Sequence, residues 1–556
     1  MALAFDMKRR PILRTLLGAA MAVPSRAATD EPYPIFDADA GLYRKALREA
    51  TIPPLGIRPT GLTVPHHLLA ARLIAGTLRL ASKHRYERLV ILCPDHFSRS
   101  PLPFATTRRP FLTAFGRVPV DAAFAGRLLE SSEMVAESSL FAKEHGLQAL
   151  LPFVAKLFPD TPVVPVACGI RTPVENWKAM AGKLAALIDD KTLLVQSTDF
   201  SHYLTAREAA RRDAETLRML AVGDPAGVEG LVQPDHCDSR AALWIQMTLQ
   251  RERFGARPAV VENANAIEFG GPPDCPRTTS YLTMAWTKES IPAASLPGQA
   301  FYFGGDFFCG RHMAERLARP GQAERFVKAV RSLTYGRPLI VNFEGVLLPE
   351  PPEKPAGPYQ LWMDPKVALP LLEKLGVKAV TLANNHSGDY GEEGRKKTRD
   401  ALEGAGLKVL GQGEVADLGF FRLGAVTDLD NTPRPRANLV SAKSFETWKA
   451  DSSAKPIFAF LHSGREYHSE PDARSIQVAA LAAQAGAALV VGCHPHRPTA
   501  AFRTIGGALW FPSMGNLLFD QKDVANSGGL VEVRIFAQGT WTARWLPLPN
   551  FHADAG

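Results

Sequence analysis

Two short stretches about a hundred residues apart carry the side chains best suited to chemistry, Asn384-Asn385-His386 and His494-Pro495-His496. Each follows an apolar run, residues 377–382 with Lys378 as the only charge, and residues 487–491. Such runs read as buried parallel strands, and α/β sheets place their chemistry at the carboxyl ends of those strands. Residues spaced two apart in an extended loop point the same way, so His494 and His496 are expected to face one site. Three more strand ends carry similar residues: Phe301-Tyr302-Phe303 runs into Asp306, Leu339-Ile340-Val341 into Asn342-Phe343-Glu344, and residues 457–461 into His462. Any one alone would read as a polar turn residue capping a strand. Five strands delivering Asp, Glu, Asn and four His to one edge point instead to a shared site. Oxygen and nitrogen donors together suit Mn, Fe or Zn, and more than four ligands suggests two metals sharing a carboxylate.

The elements that must position these groups form the second of two halves. The first half, about residues 30 to 287, has its own alternation of strands and helices. Residues 57–64 end in Pro65-His66-His67, residues 88–93 end in Pro94-Asp95-His96, and residues 69–82 between them make an amphipathic helix. Strand, helix, strand implies a right-handed crossover and a parallel sheet, which puts His66 and His96 at neighbouring strand ends. Residues 192–196 empty into Ser197-Thr198-Asp199-Phe200-Ser201-His202-Tyr203, while Glu144-His145-Gly146-Leu147 and Asp235-His236-Cys237-Asp238 complete the candidates. One loop histidine is usually a satisfied surface or core group; three strand-end histidine motifs point to a site.

The chain has 556 residues, 46% hydrophobic and 22% charged, an ordinary globular composition whose length favours two or more domains. Residues 1–27 read as an export signal: Lys8, Arg9, Arg10 and Arg14 form the charged region, Ile12 to Val23 is mostly apolar, and Ser25-Arg26-Ala27 offers small residues before a cut. Arg9-Arg10-Pro11-Ile12-Leu13 also resembles a twin-arginine signal, so both the twin-arginine and the general secretory routes stay open. The run is too short for a permanent membrane anchor. That leader carries +4 of the +8 formal charge, and the remaining +4 includes no basic run or basic-aromatic stripe, so nucleic acid is not an expected partner. Six cysteines are too few for a disulfide scaffold of this size, and nothing identifies a pair. Residues 288–299 read as the linker between the halves. The Pro-rich residues 349–358 read either as a stiff rim over the site or as a surface loop without a role.

The segment Ala383-Asn-Asn-His-Ser-Gly-Asp-Tyr-Gly-Glu-Glu-Gly394, followed by Thr398 and Ala401-Leu402-Glu403-Gly404-Ala405-Gly406, resembles the CapA family of poly-gamma-glutamate capsule synthesis proteins. The family's other blocks follow the same order: Gly305-Asp306 with Arg311, Asn342-Phe343-Glu344-Gly345, His462-Ser463-Gly464-Arg465-Glu466-Tyr467, Gly492-Cys493-His494-Pro495-His496 and Ser513-Met514-Gly515-Asn516. The resemblance covers about residues 299 to 548. CapA proteins are similar to calcineurin-like metallophosphoesterases, which implies an α/β sandwich with two divalent metals between sheet edges. By that resemblance Asp306 and His496 hold one metal, Glu344 bridges, and Asn385, His462 and His494 hold the other. His386 is then the acid that protonates the leaving oxygen, a role suited to an imidazole titrating near neutrality. Asn384 supports the site, and Arg311 either orients a phosphate oxygen or forms a surface ion pair. The generic phosphoesterase opens with Asp-x-His, whereas Asp306 is followed by Phe307 and Phe308, so one metal position lacks a histidine.

The first half resembles the Memo family, which includes the second component of AmmeMemoRadiSam systems. The resemblance rests on Val64-Pro65-His66, Asp95-His96, Glu144-His145-Gly146-Leu147-Gln148 with Leu151-Pro152-Phe153, Ser197 to Tyr203, and Cys237, and spans most of residues 60 to 286. It implies an α/β fold like that of class III extradiol dioxygenases, and iron or copper held by His66, His96 and Cys237 with His145, Asp199 and His202 around them. Two departures stand out: His67 and Leu68 replace small residues after Pro65-His66, adding a potential ligand, and Asp238-Ser239-Arg240 follows Cys237 where a Gly is usual. A thiolate suits Cu(I) or Fe(II), but an oxidising compartment puts it at risk.

The whole therefore reads as an exported α/β protein of two domains. Its second half is expected to hydrolyse a phosphoester in capsule or envelope polymer synthesis, with an anionic polymer or phosphoester as partner. The alternatives are a non-catalytic polymer-binding or assembly protein, or an iron- or copper-handling or oxygenase-type protein acting through the first half. Oligomeric state is not legible.

Overall fold

The structure, a computed structural model, describes residues 31–350, 352, 359–430, 439–448, 455–499, 501–521 and 528–548. The leader, most of the Pro-rich segment and the tail at 549–556 lie outside the described residues. Among the described residues no helix is long and apolar enough to cross a membrane.

The first half is built on a nine-stranded sheet. Its centre is four parallel strands in the order Gly61–Val64, Thr192–Ser197, Arg88–Asp95 and Val163–Gly169. Their near-continuous apolar runs are buried because helices cover both faces. The helix Ala71–Arg79 connects the first two strands of the chain as expected, after a short 3-10 turn at Leu68–Ala70. The strand Thr192–Ser197 lies between them, however, so His66 and His96 do not sit on neighbouring strands. Crossover handedness fixes the side a helix takes, not whether its strands touch. Because the intervening strand itself leads into Asp199, three strand ends converge instead of two.

The second half is a sandwich of two sheets. One runs Lys408–Leu410, Val377–Thr381, Leu339–Phe343, Gln299–Phe307, Gly529–Ile535, Trp541–Pro547. The other runs Val415–Asp417, Arg422–Thr427, Ile457–His462, Ala487–Cys493, Ala508–Phe511, Arg503–Ile505. Alternation along Gln299–Phe307 shows how they pack: Phe301 and Phe303 enter the layer between the sheets with Phe458, Phe460 and Val491, while Tyr302 faces the outer helices. Helices such as Pro365–Leu375 cover the first sheet, and Ala473–Gln484 covers the second. The five strand ends expected on one edge thus come from two sheets, three from the first and two from the second.

The halves meet through buried polar contacts. Arg534, fully buried, donates to the carbonyls of Pro297 at 2.9 Å and of Val260, and ion-pairs with Glu532. Thr540 Oγ1 donates to Asn263 Oδ1 at 2.5 Å.

Candidate functional site

At the sandwich edge, Asp306 and Glu344 are both fully buried. Asp306 is well supplied with donors: Asn342 Nδ2 at 2.8 Å, the His494 backbone N at 3.0 Å, and His496 Nδ1 at 3.2 Å. These hold its carboxyl well below the usual range despite burial. Glu344 is the opposite case. Neither of its oxygens has a hydrogen-bond partner, and burial together with the facing Asp306 carboxylate pushes its carboxyl well above the usual range.

Around this pair stand the histidines. His462 Nε2 lies 2.7 Å from Asn385 Oδ1, and its Nδ1 lies 3.3 Å from Cys493 Sγ and 3.7 Å from Asp306 Oδ1. Burial, helped by His496 and His386, pushes its imidazole down to about 3. His494 Nδ1 is buried without a partner, and burial and the neighbouring histidines likewise hold it well below its ordinary value. His496 Nδ1 also meets Asn516 Oδ1 at 2.8 Å. The ligand atoms of Glu344, His494 and His496 lie within 4.8 Å of one another, as do those of Asp306, His462 and Cys493. Two buried carboxylates face to face, with the neutral imidazoles of His462 and His494 beside them and one nitrogen of His494 unpaired, fit a cation that would satisfy all of them.

The two-apart histidines reach this site by a route different from that expected. His494 and His496 have φ of 94° and 56°, so the loop is coiled through left-handed backbone, not extended. Such positions are strained for residues with a Cβ and persist where surroundings hold them; here the Asp306 carboxylate grips both residues. Tight approach also requires glycine: a Cβ on Gly305 would lie 1.8 Å from the Gly515 carbonyl oxygen, and one on Gly492 equally close to that of Pro512.

His386 Nδ1 donates to Asp389 Oδ2 at 2.7 Å, which leaves Nε2 toward Glu344 Oε1 at 3.8 Å. Asp389 was not among the expected residues, although its position three after His386 is the signal that could have found it. Asn384 positions the loop, donating to Asn342 Oδ1 and the Phe343 carbonyl and accepting from the His386 backbone N. Arg311 takes the ion-pair alternative: its guanidinium donates to both oxygens of Asp520, at 2.6 and 2.8 Å. Phe308, where the generic histidine would be, is buried against Phe519.

The first half gathers a second cluster. The ring centroids of His66, His96 and His145 lie 4.0 to 5.3 Å apart. Ser197 Oγ gives its hydrogen to the Gly146 carbonyl, so it must accept from His66 Nδ1, 3.0 Å away. His96 Nδ1 donates to buried Glu144 at 2.6 Å. Both rings therefore turn Nε2 inward, where Asp238 Oδ2 lies 3.0 Å from His66 and 3.6 Å from His96. Asp199 Oδ2 stands 3.6 Å from His66 Nε2. Burial would depress His96, but Asp238 and Glu144 outweigh it and raise the imidazole to about 10; burial beside the other histidines lowers His145 to about 4.

Cys237 is absent from this cluster. Its side chain packs in the hydrophobic core beside Phe200, and burial pushes its thiol far up. The adjacent Asp238 points inward instead, a consequence of the residue that departs from the expected glycine. His67 Nδ1 meets the Tyr281 hydroxyl at 2.7 Å, and His67 is not among the residues whose ligand atoms converge here. His202 lies on the short strand His202–Leu204, stacked edge-on against Tyr203, outside the cluster. All six cysteines are free thiols.

Comparison with known proteins accounts for both halves. Residues 43–250 match the Memo-like protein family, and residues 300–419 and 431–521 match the bacterial capsule synthesis protein PGA_cap family. The chain joins a Memo-like domain to a PGA_cap domain, as its motifs implied. "Capsule biosynthesis protein CapA" of Bacillus anthracis is 29% identical over 274 residues, 44% of this chain and 66% of that protein, just under two thirds of its length. "PGA biosynthesis protein CapA" of Bacillus subtilis is 24% identical over 317 residues, covering 53% of this chain and 80% of that protein. A MEMO1 family protein of Methanopyrus kandleri is 26% identical over 202 residues, 34% of this chain and 71% of that protein.

Proposed function

We propose that the second half is a dinuclear, divalent-metal phosphoester hydrolase acting in the synthesis of a capsule or envelope polymer, in an exported protein whose first half is a second metal-binding domain. The observation that carries this reading is the donor-free Glu344 carboxylate, fully buried against Asp306 beside the unpaired His494 Nδ1. Asp306, Glu344, Asn385, His462, His494 and His496 would hold the metals. When bound, such ions supply an activated water and neutralise charge growing on phosphoryl oxygens.

The chain's own groups supply the rest. Asp306 and Asn342 fix the floor of the site, and the strained His494-Pro495-His496 loop holds its imidazoles against that floor. His386 directs Nε2 toward the site while Asp389 holds the opposite nitrogen and fixes the ring. That arrangement is a general acid for a leaving alkoxide. A purely structural or polymer-binding metal site has no use for an oriented imidazole that binds no metal.

His386→Ala tests this reading, assayed by hydrolysis of a chromogenic phosphodiester together with elemental analysis. Turnover should fall by about 10²- to 10⁴-fold with metal content unchanged. Loss of metal in step with activity would reject the assignment of His386 as acid.

A further inference from the structure

The first-half cluster offers nitrogen and carboxylate donors in a place where the family resemblance implied two histidines and a thiolate. Four observations bear on which set this chain uses. The Nε2 atoms of His66 and His96 converge on one carboxylate oxygen of Asp238, at 3.0 and 3.6 Å. Their Nδ1 atoms are committed to Ser197 and Glu144, which fixes both ring orientations in the manner of supported metal ligands. The other oxygen of Asp238, in a residue only 6% exposed, is buried with no partner. Cys237, the implied third ligand, keeps its thiol in an apolar core with Phe200, Leu243 and Trp244.

We infer that the first half binds a divalent first-row metal such as Fe(II) or Zn(II) through His66, His96 and Asp238, with His145 beside them, and that Cys237 is not a ligand. A carboxylate on which two inward imidazoles converge through one oxygen, while its second oxygen is buried and unpaired, gains from a cation that takes up the nitrogens and the carboxylate together. Replacing thiolate by carboxylate also moves the preference from Cu(I) toward borderline and hard divalent ions. It removes the oxidisable ligand, which an exported protein would otherwise expose to disulfide exchange and overoxidation.

The test is cobalt(II) titration of the full chain carrying His462→Ala and His494→Ala, so that the first-half cluster is the site observed. Asp238→Asn, Asp238→Glu and Cys237→Ala are added one at a time, and absorption spectra are recorded alongside affinity. The expected result is binding without a thiolate-to-cobalt charge-transfer band, unchanged by Cys237→Ala and weakened by more than about 100-fold in Asp238→Asn. Asp238→Glu should restore part of that loss. A charge-transfer band that disappears in Cys237→Ala, unaltered affinity in Asp238→Asn, or no cobalt binding at all would each overturn the inference. The Cys237→Ala spectrum decides between thiolate and carboxylate by itself should Asp238→Asn fail to fold.

Discussion

Glu344→Gln should make the metal-stripped protein more stable and the metal-loaded protein less so. Without a cation, the wild-type carboxyl sits fully buried with both oxygens unpartnered and Asp306 opposite. Leaving a buried polar group unsatisfied costs about 1–3 kcal/mol. The glutamine amide keeps the shape and can donate toward Asp306, recovering much of that cost. At roughly 2–4 °C per kcal/mol for a domain of about 150–250 residues, the chelated variant should melt about 2–10 °C above the chelated wild type. The pH dependence follows in sign. A carboxyl held above its usual range binds its proton more tightly folded than unfolded, so wild-type stability falls as pH rises above the unfolded value near 4.3, by at most about 1.4 kcal/mol per unit. The variant loses that slope, and its advantage grows as pH rises above the unfolded value. Saturating manganese reverses the order, since ligand at about 100 times Kd adds about 2.7 kcal/mol to the wild type alone. Scanning calorimetry with chelator and with manganese reads both halves of the prediction. A variant that melts below wild type in chelator, and gains equally from manganese, would refute the reasoning.

Three further outcomes follow from other parts of the molecule. Asp389→Asn should keep metal content but lower turnover by about 10- to 100-fold, because His386 loses the carboxylate that fixes its ring with Nε2 toward the site. Arg534→Met should lower the urea midpoint and cost about 1–3 kcal/mol, since it leaves the Pro297 and Val260 carbonyls without their buried donor, while Glu532 keeps Arg544 and Tyr302. Burial favours the neutral form of Glu532, but Arg544 and Arg534 outweigh it and hold the carboxyl below its usual range. Its contribution is therefore complete above the unfolded value near 4.3 and lost as pH falls through the folded one. Urea midpoints of the wild type at pH 7 and pH 3.5 should differ more than those of Glu532→Gln.

Much of this architecture was legible because burial writes itself into strand sequences. The runs before Asn384, His462 and His494 are apolar since both faces are covered, and their polar ends fall where parallel strands stop. Period and composition cannot say which sheet a strand joins, so the five strand ends read as one edge when they belong to two facing sheets. Nor can they say which of two adjacent residues turns inward: Cys237 and Asp238 both offer ligand atoms, and the burial of Cys237 in the hydrophobic core decides. The left-handed backbone at His494 and His496 was likewise invisible, because it comes from tertiary hydrogen bonds to Asp306 and not from the residues' own preferences. Of the two readings the sequence left open for Arg311, the structure shows the ion pair, with Asp520.

The most direct test of the central claim is elemental analysis and phosphodiester hydrolysis on the same preparations of wild type and of the His462→Ala, His494→Ala double variant. The account predicts two equivalents of Mn, Fe or Zn attributable to the second half. It predicts that the double variant loses them and all hydrolysis, while metal in the first half remains. A double variant that binds the same metal and hydrolyses at the wild-type rate, or a wild type that holds both metals and cleaves no phosphoester, would contradict it.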